Sequence, residues 1–167
     1  RGYAEFDPPP AYISGPVTDY GLDTDGDLLY DMLVFEVPVE ITSPVDVYLY
    51  CDLYDASDTV YLMWDDSTAE LDVGSHVLEI QFRGWRIYQA GVSGPYTGHF
   101  SLYDLDTYDY YDGVVALSGT YQYDDWHHVT RVPDPGGRIV ARTEYESNTA
   151  AARAVRQYDG EGNLVIS

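Results

Sequence analysis

The chain has 167 residues, 45% of them hydrophobic, enough to bury a core as one domain or one domain with an appendage, which excludes a disordered polypeptide. Twenty-nine acidic residues stand against eight basic ones, all arginine, and a net charge of −21 excludes nucleic acid and anionic membranes as partners. No apolar run of about 18 residues marks a membrane span, and this acidity suits a cell-exterior setting bathed in divalent cations or high salt.

Residues 1–12 read as an extended arm or linker, because Pro8-Pro9-Pro10 fixes φ and removes backbone donors. The chain opens at Arg1, as a processed export or an excised fragment does. A strand near Ala11 to Val17 follows. The stretch from Gly21 to Asp31 then sets Asp23, Asp25, Asp27 and Asp31 at alternating or near-alternating positions, the pattern by which a tightly wound loop turns carboxylates to one calcium ion. The Leu29 carbonyl completes that set. An EF-hand proper is not expected, since Leu28 stands where that loop wants glycine and Val34 where it wants a bidentate glutamate. The plainer alternative is an acidic solvated turn, set against the repulsion of four carboxylates without a cation.

Period-two alternation dominates from here. Leu33, Phe35, Val37, Val39 and Ile41 share one face of a strand, with Pro38 predicting an edge or a bulge. Val45, Val47, Leu49, Cys51 and Leu53 share a face of the next, with Tyr48, Tyr50 and Tyr54 outward. Cys51 is alone, so no disulfide framework exists within the chain, and its register predicts a small buried hydrophobe. Val60, Leu62 and Trp64 give a third strand; His76, Leu78, Ile80 and Phe82 a fourth; Gly98, Phe100 and Leu102 a fifth; Val115, Leu117, Gly119, Tyr121 and Tyr123 a sixth. Between the fourth and fifth, Gly84 to Tyr96 allows a short turn of helix at most. Short strands broken by turns predict an all-β fold, an antiparallel sandwich of about seven strands, immunoglobulin-like or jelly-roll-like.

Two further clusters hold chemistry. Asp104, Asp106, Asp109 and Asp112, interleaved with tyrosines, make an acidic aromatic loop that reads as a second calcium or glycan site or as a solvated loop. Asp124-Asp125-Trp126-His127-His128 offers carboxylates and imidazoles to a transition metal, although neighbouring histidines on an extended chain face opposite ways. No nucleophile elbow, zinc-protease helix, phosphate loop or dinucleotide fingerprint occurs, so a non-enzyme is expected.

Residues 127–167 form a tail of a different kind: five acidic residues against five arginines, so that 1–126 carries the whole net charge. Ile139, Ala141, Thr143 and Tyr145 alternate as a strand, the stretch from Thr149 to Arg156 reads as a capped helix or a small-residue strand, and Leu164 to Ile166 as a terminal strand. Such a tail suggests a strand or hairpin donated to a neighbour's sheet edge.

Taken in order, Ile13-Ser14-Gly15-Pro16-Val17, the aspartate loop, Leu53-Tyr54-Asp55, Leu71-Asp72-Val73-Gly74, Gly84-Trp85, Ser93-Gly94-Pro95-Tyr96 and Leu102-Tyr103-Asp104 resemble the acidic calcium-loop β-sandwich domains of archaeal and bacterial secreted and surface proteins. The resemblance covers about residues 13–126 and implies a non-catalytic, extracellular domain. The expectation is a structural subunit of a filament, pilus-like fibre or surface layer, a homo-polymer or a neighbour to other surface domains, assembling through Ile139, Ala141, Thr143 and Tyr145. The alternative is a carbohydrate-binding or accessory module of a secreted hydrolase, with glycans as partners.

Overall fold

The computed structural model describes residues 8–127 with their side chains, and the backbone strands at 129–133, 139–145, 154–159 and 164–166. The sequence-predicted arm at residues 1–12 therefore lies mostly outside the described residues. So does His128.

The fold is all-β, an antiparallel sandwich of two four-stranded sheets, with a third antiparallel sheet formed by the C-terminal strands. In the first sheet β3 (Met32–Ile41) pairs with β1 (Ala11–Ile13), β2 (Thr18–Leu22) and β6 (Gly74–Arg83). The second runs β5 (Tyr61–Leu71), β4 (Val45–Tyr54), β7 (Thr97–Asp104), β8 (Tyr110–Leu117). The chain divides into two compact units. The first comprises 1–20, 34–82 and 94–120; the second comprises 21–33, 83–93 and 121–167, so the division does not follow the contiguous boundary between 126 and 127 that charge suggests.

The core of the first unit is built by alternation. Val37, Val39 and Ile41 on β3, Val47, Leu49, Cys51 and Leu53 on β4, Leu78, Ile80 and Phe82 on β6, and Phe100 and Leu102 on β7 are buried. Phe35 packs edge-to-face on Phe82 and Phe100, with ring centroids 6.1 and 5.2 Å apart. Burial pushes the Cys51 thiol far above its ordinary range, so this cysteine is a packing residue.

Pro38 is not on an edge strand. Its carbonyl accepts the Ser14 N–H at 2.9 Å, and its missing donor falls on the same side, at the break between β1 and β2. The register of two strands also differs from the sequence expectation. On β5 the buried residue is Met63 and Trp64 is half exposed, as is Val60 just before the strand. On β8 the strand starts at Tyr110 and ends at Leu117, with Val115 and Leu117 outward rather than inward. Both are the edge strands of their sheet, where one polar face and one aromatic face give no clean apolar stripe.

The C-terminal strands run as an up-and-down meander in the order β12 (Leu164–Ile166), β11 (Ala154–Asp159), β10 (Ile139–Tyr145), β9 (Val129–Pro133). The small-residue stretch is thus strand from Ala154 onward. Ile139–Tyr145 has the bounds its alternation predicts, but it is an inner strand: Thr143 pairs with Thr130 on one side and Gln157 on the other. Ile139, Ala141, Thr143 and Tyr145 therefore sit on a strand whose two edges are filled by the same chain, and this strand is not the one available for donation to a neighbour.

Candidate metal centre

The second unit holds the aspartate loop, and its backbone is pinned at the base. Asp31 N–H donates to the Leu22 carbonyl at 2.7 Å, and Gly84 N–H donates to the Asp31 carbonyl at 2.7 Å. A Cβ at residue 84 would lie 2.3 Å from the Tyr30 carbonyl oxygen, so only glycine lets the start of α1 (Gly84–Ala90) approach the loop this closely. Tyr30 forms an isolated parallel bridge with Trp126: Tyr30 N–H donates to the Asp125 carbonyl, and His127 N–H donates to the Tyr30 carbonyl, each at 2.9 Å.

Aromatic packing holds that second strand of backbone in place. Trp126 is fully buried between Tyr30 and Tyr121, at centroid distances of 5.5 and 5.0 Å. Just before it, a 3-10 turn at Tyr123–Asp125 is closed by a capping box, in which the Gln122 N–H donates to Asp125 Oδ2 at 2.7 Å. Tyr123 stacks on Tyr88 of α1. Asp125, which the sequence grouped with the histidines, is thereby committed to capping.

Inside the loop the carboxylates organise their own backbone. Asp23 Oδ1 accepts Gly26 N–H at 2.8 Å, and its Oδ2 accepts Leu28 N–H at 3.0 Å. Asp25 Oδ1 accepts Asp27 N–H at 3.2 Å, Asp27 Oδ1 accepts Leu29 N–H at 2.9 Å, and Asp31 Oδ2 accepts Thr24 N–H at 2.6 Å. Asp27 and Asp31 thus each use one oxygen on the turn, whereas both oxygens of Asp23 accept backbone N–H groups. The winding needs two left-handed residues, Gly26 at φ 77° and Leu28 at φ 71°. Leu28 occupies the position where the sequence comparison with calcium loops asks for glycine, and it adopts glycine's conformation, with its side chain 89% exposed.

The loop's donors fall into two overlapping groups, Asp23, Asp25 and Asp27, and Asp25, Asp31 and His127, each with its donor atoms within 4.8 Å of one another. His127 Nδ1 stands 3.3 Å from Asp31 Oδ1 and 3.5 Å from Asp27 Oδ2. The side chains of Asp27 and His127 are 10% and 9% exposed. Asp27 Oδ2 is buried and accepts no hydrogen bond, an arrangement that costs free energy unless a proton, a water or a cation satisfies it. Burial pushes the Asp27 carboxyl up to about 6, helped by the Asp25 charge and opposed by the Leu29 N–H and His127. For Asp23 burial also works against ionisation, but the N–H groups of Gly26, Leu28 and Asp25 outweigh it, and its pKa lies below the ordinary carboxylate value.

The predicted aspartates thus divide between the two donor groups, which share Asp25, and Leu29 is a buried residue of the same loop. His127 was visible only as part of its own local cluster. Nothing in the sequence links it to a loop so far away along the chain, because the link is the Tyr30–Trp126 bridge. The second acidic stretch does not converge. Asp104 Oδ1 accepts the N–H groups of Asp106 and Thr107, its Oδ2 accepts the Tyr111 hydroxyl, and Asp112 Oδ2 accepts the Ile13 N–H at 2.8 Å. These carboxylates close a turn and tie down a strand; among the described residues they form no metal-sized group.

No family model matches the chain, and no curated protein does. Among solved structures it is similar to a calcium-binding mutant of Bacteroides uniformis β-glucuronidase 2, at 12% identity over 67% of this chain and 14% of that one, with a TM-score of 0.49. A β-D-mannosidase from Dictyoglomus thermophilum matches at 12% identity over 78% of this chain and 15% of that one, TM-score 0.43. An adhesin from Mobiluncus mulieris with intramolecular disulfide, isopeptide and ester cross-links matches at 10% identity over 86% and 56%, TM-score 0.37. The chain spans about a seventh of the length of the two enzymes, and at this identity no activity passes from them to it.

Proposed function

We propose that this chain is a non-catalytic structural module of a secreted or cell-surface protein, in which a calcium ion held by Asp23, Asp25, Asp27, Asp31 and the Leu29 carbonyl locks the loop to its neighbouring backbone. The observation that carries this reading is a pair of donor groups, Asp23-Asp25-Asp27 and Asp25-Asp31-His127, that share Asp25 on a loop whose Asp27 Oδ2 is buried without a hydrogen bond. A cation supplies what that oxygen lacks and cancels the mutual repulsion of the set. The charge of −21 fits an exterior medium that supplies such ions. Among the described residues no helix is long and apolar enough to cross a membrane.

The test is thermal unfolding with and without calcium. A ligand bound only by the native state stabilises it by about 2.7 kcal/mol at a hundredfold excess over Kd. At matched ionic strength, calcium should raise the melting temperature of the unmutated chain and leave that of Asp25→Ala unmoved; a chelator without effect on the unmutated chain rejects the site. Electron microscopy of the purified chain in calcium tests the structural role, with polymers supporting a surface assembly and dispersed monomers counting against it. Any such assembly uses an edge strand rather than β10, whose edges are filled.

One observation favours the second reading, a carbohydrate-binding module. The outer face of the β5-β4-β7-β8 sheet carries a continuous row of rings: Trp64 stacked on Tyr50 at 5.8 Å, and Tyr48 against Tyr50, Tyr103 and Tyr108 at 6.1 to 6.4 Å. The Tyr48 and Tyr50 hydroxyls donate to Asp66 and Asp52 at 3.1 and 2.6 Å, which holds the rings against the sheet. Ring faces beside carboxylates suit a neutral polyol. Trp64→Ala should then abolish retention on a neutral polysaccharide matrix, and a chain that never binds such a matrix removes this reading.

A further inference from the structure

We infer that His127 Nδ1 is itself a ligand of the loop's cation, and that the site therefore takes a divalent transition ion of the Mn2+ class in preference to calcium. The inference rests on the metal-binding reading above and specifies its ion.

Two distances carry the argument. A charge-assisted N–H···O bond to a carboxylate spans about 2.7 to 2.9 Å, whereas His127 Nδ1 lies 3.3 Å from Asp31 Oδ1 and 3.5 Å from Asp27 Oδ2. Donors that share one ion at about 2.2 to 2.5 Å, at right angles, stand about 3.1 to 3.5 Å from each other. The imidazole is thus set back from both carboxylates by the spacing of neighbouring ligands. Asp27 Oδ2, buried and accepting no hydrogen bond, is an independent sign that an ion belongs there. The imidazole's position is fixed from behind by His127 N–H on the Tyr30 carbonyl and by buried Trp126 next to it in the chain, so a ligand there is preorganised rather than recruited.

Chemistry then selects the ion. Calcium and magnesium are hard and take oxygen, while an imidazole adds affinity for first-row transition ions. Asp25 and Asp31 group with His127, and Asp27 Oδ2 lies 3.5 Å from its Nδ1, so the set is oxygen-dominated with a single nitrogen, the donor balance suited to Mn2+.

The experiment uses the full chain stripped with a chelator and titrated by calorimetry with MnCl2 and with CaCl2, followed by pulsed electron paramagnetic resonance of the Mn2+ form. Mn2+ should bind more tightly than Ca2+, its spectrum should carry nitrogen modulation from an imidazole, and His127→Gln should remove that modulation and weaken Mn2+ by about 10- to 100-fold or more while changing calcium much less. Calcium binding with weaker Mn2+ binding, or Mn2+ binding without nitrogen modulation in the unmutated chain, overturns the inference and leaves the calcium reading standing. Loss of both ions alike in His127→Gln also overturns it, provided the stripped variant melts like the stripped unmutated chain; should it melt lower, the nitrogen modulation of the unmutated chain decides. Failure of either ion to bind the unmutated chain overturns both.

Discussion

A bulky side chain in the left-handed region is unusual, and Leu28 is the clearest residue-scale consequence of the loop's winding. Its φ of 71° costs an L-residue about 1 kcal/mol or more relative to glycine, and at 89% exposure the side chain recovers little by burial. Leu28→Gly should therefore raise stability by about 1 kcal/mol in denaturant unfolding, and a loss of stability would mean that the entropy glycine adds to the unfolded chain outweighs relief of the left-handed backbone. A second residue-scale effect belongs to the turn after β4. Asp55 accepts the Ser57 hydroxyl and the N–H groups of Thr59 and Val60, and these bonds, the hydroxyl first, hold its carboxyl down at about 2. A depressed carboxylate contributes stability that is present above its unfolded value near 3.8 and lost as pH falls toward 2. Carboxyl NMR should show Asp55 titrating near 2, and in Asp55→Asn the part of the acid unfolding that it drives should disappear. The loop aspartates were legible at this scale because they lie close together along one short stretch, although the winding that brings them together depends on left-handed Gly26 and Leu28. His127 was not, since its partners come from a distant stretch of chain.

At the scale of elements, the sequence revealed the strands whose inner face is aliphatic and the outer face polar. β3, β4, β6 and β7 have the phase that their alternation predicts, down to the buried Cys51. The edge strands β5 and β8 were misread because Trp64, Val115 and Leu117 look like core residues and face outward, so apolarity no longer reports the side. The tail's strands were legible but not their pairing, for a single strand's pattern does not say whether its edges are met by its own chain. The seat of His127 is itself an element, the Tyr30–Trp126 bridge with α1 packed close by. Trp126→Ala, which empties a fully buried site, should cost about 3 to 5 kcal/mol, and Trp126→Phe less. Gly84→Ala drives a Cβ to 2.3 Å from the Tyr30 carbonyl, and overpacking of this kind costs about 1 to 3 kcal/mol. Trp126→Ala and Gly84→Ala should also weaken metal binding, measured by calorimetry, because they shift the backbone that carries His127. A Gly84→Ala chain with unchanged affinity would separate the helix from the site.

For the whole molecule the dominant quantity is charge. Residues 1–126 carry the entire net charge of −21, so the folded chain repels itself at low ionic strength, and any salt stabilises it by screening over a Debye length of about 10 Å at 0.1 M. This general effect would imitate a binding site in an experiment that merely adds a divalent salt. The two separate at matched ionic strength. Screening by KCl acts on every carboxylate and rises gradually with concentration, whereas a site made by Asp23, Asp25, Asp27 and Asp31 saturates once it is filled. The unmutated chain should melt higher in CaCl2 than in KCl of equal ionic strength, with an increment that levels off as calcium rises. Asp25→Asn keeps the shape of the side chain, removes one charge and breaks the set that both donor groups share. In that variant the two salts should give one melting curve, still rising with ionic strength. Coincident curves for the unmutated chain would mean that the ions only screen, and the loop would then be an acidic turn on a highly charged protein.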